Sequence, residues 1–291
     1  MRRLAAALAV VVVTLATTSA RAQNYPSRTI RIMVPFAAGG AVDVLARLMG
    51  AKLSERTGQP VIIENRPGAG GTLAADAAAK AAPDGYTILQ NTAGAAIAPA
   101  LYRSLPFDPL KDIVPVTQIT GSMLLFVTSP KSDIHSIHDL IARARAQPGK
   151  LNYGSSGVGN PLHLAMERLK HVTGIDLVSV PFRSDLQIHA ALLSGEVDVA
   201  VVPMGTAVPH IKEGVLRAIG VSGAGRNPTL PDVPTIIEQG VPDFVISGWQ
   251  GWFVPGGTPA PVVDRIHHEA VKMLALPDMQ ERIKGFGNEA I

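Results

Sequence analysis

The segment from Ile30 to Arg56 constrains this chain more than any other. Ile30–Val34 is an apolar run, Pro35-Phe36-Ala37-Ala38-Gly39-Gly40 is a glycine loop, and Ala41–Arg56 carries helical periodicity. A strand feeding a helix through such a loop aims unpaired backbone N–H groups out of the end of a sheet. A helix start of this kind attracts anions through those amides and through the helix dipole. Gly39 and Gly40 permit close approach to the backbone. Phe36, Ala37, Gly39 and Gly40 are therefore candidate ligand contacts, and Asp43 caps or orders the helix start. Glycine loops also serve tight turns alone, so this segment needs a second, convergent one to read as a site.

That second loop is Gly154-Ser155-Ser156-Gly157-Val158-Gly159-Asn160, between the strand Leu151–Tyr153 and a helix whose first position suits Pro161. Ser155 and Ser156 offer hydroxyls beside that helix start. Neither fits the G-x-S-x-G elbow of a serine nucleophile, because Tyr153 precedes Ser155 by two and Val158 follows Ser156 by two. Asn91 and Thr92 end the strand Thr87–Gln90 and suit a carboxylate or a bridging water. Arg183 follows the strand Leu177–Val180 and can clamp a carboxylate, or else stands on the surface paired with Asp185 or water. Asp198 lies in the apolar strand Val197–Val202, where it needs a partner: a loop N–H or a ligand ammonium. Trp249, with Trp252, sits on the segment Val245–Val254, as hinge packing or as an aromatic contact.

Apolar runs alternate with helical segments throughout, the pattern of an α/β protein with mainly parallel sheets. Met123–Thr128 reads as a crossing into a second lobe and Val245–Val254 as the return. The expected layout is a signal peptide over residues 1–22, a discontinuous first lobe over 23–125 plus 250–291, and a second lobe over 126–249. The two hinge crossings leave a ligand cleft between the lobes, beyond the C-terminal strand ends.

Met1-Arg2-Arg3, the apolar run Leu4–Leu15 and the Ala20-Arg21-Ala22 cleavage pattern make up that exported leader. The leader holds three arginines and no acid, which accounts for the whole formal charge of +3. The remainder is neutral, so nucleic acid loses its electrostatic support as a partner. The chain has no cysteine, hence no disulfide or thiolate chemistry, in keeping with a periplasmic address. No P-loop and no complete dinucleotide fingerprint is present. His163 and Glu167 share a helix face without a third ligand to complete a catalytic zinc site. No cofactor, metal or catalytic residue is expected.

Three stretches, Val34–Asp43, Glu64-Asn65-Arg66-Pro67-Gly68-Ala69-Gly70-Gly71 and Ala82-Pro83-Asp84-Gly85-Tyr86-Thr87, together resemble the Bug-type receptors, the extracytoplasmic solute-binding proteins of tripartite tricarboxylate transporters. The likeness continues through Pro148–Tyr153, Leu230–Thr235 and Pro255–Pro261. It implies a two-lobed periplasmic binding fold (type II-like) that closes on one small carboxylate. The ligand would be held by backbone amides, hydroxyls and waters and delivered to a membrane permease by a monomeric receptor. Carried over by position, the site spans Phe36 to Asp43, the loop after Gln90, Ser155 and Ser156, the loop Phe182–Asp185, and Trp249. Ala38 stands where the family has proline, Phe182-Arg183-Ser184 where it has Tyr-Lys-Gly, and Val202-Pro203 where it has a polar pair. Family members continue past Gly287–Ile291 through another short strand and helix, so the first lobe is expected to lack closing elements. Di- and tricarboxylates, acidic amino acids and aromatic acids all remain open as ligands. Signalling to a membrane sensor, or turnover of a carboxylate, are the other function classes.

Overall fold

A computed structural model describes residues 25–291; the leader expected over residues 1–22 lies outside them. The first half of the sheet opens with β1 (Ile30–Val34), α1 (Ala41–Thr57), β2 (Val61–Asn65), α2 (Thr72–Ala79) and β3 (Thr87–Thr92). β1 pairs in parallel with both β2 and β3. A short 3-10 turn, Ala69–Gly71, leads into α2. After β3, where a polar loop was expected, the helix α3 (Gly94–Leu101) begins almost at once.

β4 (Ile113–Thr128) then runs for 16 residues and serves both halves. Ile113–Met123 pairs antiparallel with the late strand β9 (Ser247–Pro255). Leu124–Thr128 pairs with β7 (Val199–Pro203) and β8 (Arg217–Val221). The second half also holds α4 (Ile137–Ala146), β5 (Asn152–Ser155), α5 (Pro161–Thr173), β6 (Val178–Pro181), α6 (Asp185–Ser194) and α7 (Met204–Lys212). β5 lies between β6 and β7, parallel to both. The chain finishes with α8 (Ala260–Leu274), α9 (Pro277–Gly285) and β10 (Asn288–Ala290). Those final residues are not slack, for β10 pairs antiparallel with Thr120–Ser122.

The architecture is the expected two-lobed α/β periplasmic binding fold. Parallel pairs build β2-β1-β3 in one lobe and β6-β5-β7 in the other, and the crossing strands add antiparallel pairs, β9 with β3 and β4, and β4 with β7 and β8, so the sheet as a whole is mixed. The crossing strands run in opposite directions because the chain leaves the first lobe along one and returns along the other. Helices cover both faces. One core gathers Ile32, Leu45, Met49, Ile88, Trp252 and Ile266 in the first lobe. Two more flank the second-lobe strands, around Phe126, Tyr153 and Phe244 on one face and Leu125, Ile188 and Val202 on the other.

This topology fixes where a site can form. α1, α3, α5, α6 and α7 each start within a few residues of a strand's C-terminal end. Their N-termini therefore gather on the cleft side of the sheet, where helix dipoles favour negative charge without any basic side chain.

Candidate functional site

The lobes touch along two seams. On one, the start of α1 meets the starts of α6 and α7. The Ala41 amide donates to Asp185 Oδ2 at 3.2 Å, and Thr206 Oγ1 donates to the same oxygen at 2.5 Å. Leu186 packs beside Gly39. On the other seam the turn Ala69–Gly71 meets the loop Gly157–Gly159. A Cβ on Gly70 would stand 2.5 Å from the Val158 carbonyl oxygen, and Gly70 holds φ of +61°, a left-handed conformation that glycine adopts readily. Tyr102 Oη donates across the same seam to Val158 O at 3.3 Å.

Between the seams lies a small cavity that opens to solvent. Phe36, Val42, Leu124, Leu162, Pro203 and Trp249 form its apolar walls. Thr92, Ser122, Ser156, Asn160 and Gln250 supply neutral polar groups, and Asp185 is the one ionisable residue lining it among the described residues. The amides of Val42 and Asp43 at the start of α1, and those of Gly157–Gly159 before α5, find no acceptor among the described residues. Asn160 caps α5 by accepting from the Leu162 amide at 2.9 Å. The mix of apolar walls with a few convergent donors is that of a small-molecule site.

Of the residues singled out from the sequence, Phe36, Thr92, Ser156 and Trp249 meet in this cavity. Ala37, Gly39 and Gly40 form the loop behind it, where Gly40 leaves room for Asp185: a Cβ there would lie 2.6 Å from Asp185 Oδ1. Arg183 lines an adjoining outer cleft with Phe182, Tyr102 and Gly157; this cleft shares Phe36 and Ser156 with the central cavity, and among the described residues Arg183 forms no ion pair with Asp185.

Asp43, Asn91, Ser155 and Asp198 are not among the residues lining this cavity; Asp43 orders the start of α1 and Asp198 takes a backbone N–H, one of the roles read for each. Asp43 accepts from the Gly39 amide, Arg47 and Asn65, holding the loop against α1 and β2. Burial raises the pKa of its carboxyl, but the bonds from Arg47, Gly39 and Asn65 outweigh that and hold it below the usual carboxylate range. Asn91 accepts from the Thr92 amide on the first-lobe side. Ser155 Oγ pairs with Ser179 Oγ at 3.2 Å. Asp198 accepts from the Asn152 amide at 2.7 Å, at the opposite end of β5 from the cavity.

Sequence reasoning reaches Asp185 only as the end of the site loop Phe182–Asp185 and as a possible partner of Arg183, and Asn160 only as the end of the second glycine loop; it does not single out Ser122 or Gln250. Gln250 belongs to a buried chain in which Trp252 Nε1 donates to Gln90 Oε1 at 3.0 Å and Gln90 Nε2 donates to Gln250 Oε1 at 3.0 Å. Its only sequence signal is a polar residue beside two tryptophans in an otherwise apolar run.

Next to Asp185, His189 is buried and neither ring nitrogen has a partner among the described residues. Burial pushes this imidazole down to about 4; the nearby His210 adds to the shift, and Asp185 opposes it. A histidine with a lowered folded pKa stabilises the fold above its unfolded value and loses that contribution as pH falls through the window between about 6.5 and 4. Urea midpoints measured from pH 7 to pH 4 should therefore fall more steeply in the wild type than in His189→Leu, by up to about 1.4 kcal/mol per pH unit for one proton. Parallel curves would show that His189 does not titrate in this way.

The profile described as "Tripartite tricarboxylate transporter family receptor" matches residues 45–291. The chain belongs to that family. BugT of Bordetella pertussis (strain Tohama I) is 36% identical over 266 residues, spanning 90% of this chain and 82% of that protein. The structure of the periplasmic binding protein BugD superposes with a TM-score of 0.88 at 32% identity, covering 92% of this chain and 89% of the other. A Rhodopseudomonas palustris structure, Rpa4515 with adipate, gives 0.88 at 34% identity, covering 92% and 90%. The Bug-type resemblance drawn from the glycine loops therefore holds for nearly the whole described chain, and the family's members are receptors rather than enzymes. Among the described residues no helix is long and apolar enough to cross a membrane, and no group of three histidine or acidic side chains is placed to hold a metal.

Proposed function

We propose that this chain is a periplasmic receptor that captures a small organic carboxylate between its lobes and delivers it to the permease of a tripartite tricarboxylate-type transporter. The observation that carries this reading is a cavity onto which helix starts from both lobes converge, with hydroxyls and free amides but no basic side chain. Such a site suits an anion held by dipoles and neutral donors. The adipate bound to the Rhodopseudomonas relative supports the same ligand chemistry. Phe36, Thr92, Ser156 and Trp249 are the proposed direct contacts, with Gly39 and Gly40 giving the first loop its close approach. Arg183 would screen ligands at the entrance.

Residues 23–125 with 250–291 form one moving body in this reading, and 126–249 the other, working as a monomer. Closure requires that the ligand favour the closed state. Amides of both lobes, engaged together only when the seams meet, supply that preference.

A thermal-shift screen of the purified protein against small carboxylates tests the reading. A ligand at about a hundred times its dissociation constant adds roughly 2.7 kcal/mol of stability. A selective rise in melting temperature is the expected result. A cooperative transition unmoved by any acid, yet raised by a neutral or cationic solute, would overturn the carboxylate assignment.

A further inference from the structure

We propose that Asp185 sets the ligand class, selecting a monocarboxylate with a hydroxyl or ammonium at its far end over a dicarboxylate. This rests on the receptor reading above and narrows it.

Asp185 is only 6% exposed, yet it lines the central cavity. Its Oδ2 is engaged by the Ala41 amide and the Thr206 hydroxyl. No described residue donates to Oδ1 within hydrogen-bond distance, and no described lysine or arginine forms an ion pair with the carboxylate. The cavity thus contains one built-in negative charge, steadied by a helix start and a hydroxyl, with an acceptor oxygen to spare.

The rest of the lining decides what can sit beside it. Hydroxyls of Thr92, Ser122 and Ser156 and the side-chain amide of Gln250 are enough donors for one carboxylate, whose two oxygens accept about four bonds. A second ligand carboxylate inside the central cavity meets no basic side chain among its lining residues and stands close to Asp185, while Arg183 lines only the adjoining outer cleft. Like charges oppose one another far more strongly in such surroundings than in water. A hydroxyl or ammonium at that end would instead give the free carboxylate oxygen the donor it lacks. The apolar walls of Phe36, Leu124, Leu162 and Trp249 accommodate the ligand's carbon skeleton, aliphatic or aromatic. This departs from the dicarboxylate held by the Rhodopseudomonas relative.

Asp185 also joins the lobes, so the experiment separates charge selection from a structural latch. Asp185→Asn keeps an oxygen for Ala41 and Thr206 while removing the charge. Titration calorimetry of wild type and variant would use two matched sets: glutarate, 5-hydroxypentanoate and 5-aminopentanoate; and terephthalate, 4-(hydroxymethyl)benzoate and 4-(aminomethyl)benzoate. On at least one scaffold the donor-bearing acids should bind the wild type about tenfold or more tightly than the diacid, and the variant should shrink that ratio by a similar factor. A diacid bound as tightly as its partners by the wild type overturns the proposal, and leaves the carboxylate reading standing. Equal weakening of every ligand in the variant also overturns it, since a latch acts on all alike. Should the variant not fold, the wild-type ratio decides alone. No binding of any of the six acids by either protein would overturn this assignment, while the thermal-shift screen decides the carboxylate reading separately.

Discussion

Valine at position 70 is expected to leave a folded protein that no longer closes on its ligand. Gly70 sits at φ of +61°, and a Cβ there would meet the Val158 backbone oxygen at 2.5 Å. The first effect is local. A non-glycine residue in the left-handed region costs about 1–2 kcal/mol, which a protein of this size tolerates. The second effect acts between lobes. The obstructing atom belongs to the backbone of the opposite loop, and that loop is equally tight in return, since a Cβ added to Gly157 would lie 3.2 Å from the Gly70 nitrogen. The seam can accept the side chain only by standing open. An obstruction of this kind costs about 1–3 kcal/mol, which amounts to roughly a ten- to hundredfold loss of affinity. Calorimetry with the ligand found by the screen, together with small-angle scattering to follow compaction, measures both. Wild-type affinity in a folded Gly70→Val protein would show that this seam takes no part in capture.

The larger loss of stability should come from Trp252→Ala. Trp252 is fully buried on β9, opposite Gln90 of β3 on one side and Thr117 of β4 on the other. It fills the first-lobe core, and its ring nitrogen satisfies the buried Gln90 oxygen. Removing a buried tryptophan costs about 3–5 kcal/mol, and an orphaned buried acceptor adds about 1–3 kcal/mol. Against total stabilities of about 5–15 kcal/mol, that should lower the melting temperature by some 10 °C or more. Trp252→Phe separates the two contributions, since it keeps most of the volume and loses the donor. A shift of only a degree or two in the alanine variant would mean that the core closes over the gap.

The sequence displays what is local. Gly39-Gly40 and the Gly157–Gly159 loop announce themselves because turns and close approaches need glycine, and both do border the cleft. The apolar run around Asp198 likewise foretells that its carboxylate needs a partner, though not that the partner is the Asn152 amide 46 positions earlier. What the sequence hides depends on residues far apart. β4 reads as a strand only from Met123, because Pro115 and Gly121 interrupt its earlier part and its burial there is half-hearted; pairing with β9 completes it. Asp185 reads locally as an acid in the first turn of a helix capped by Ser184. Nothing nearby in the chain indicates that Ala41, 144 positions earlier, donates to it. Ser155 and Ser156 are equivalent as text, yet strand alternation turns one toward Ser179 and the other into the cavity.

The strand that returns to the first lobe also sets a timetable. Leu89–Thr92 finds its antiparallel neighbour only in Gln250–Phe253, and Ile113–Met123 depends on the same late segment. Pairings so distant along the chain form slowly, because a large loop must close before any of them contributes. A growing chain cannot complete its first-lobe sheet until the segment ending at Pro255 has been made, so most of the polypeptide is synthesised before β3 and the first part of β4 gain their shared neighbour. A truncation before Ser247 should leave β1, β2 and β3 able to pair with one another but β3 and the first part of β4 without their shared antiparallel neighbour, rather than yield an independent first lobe.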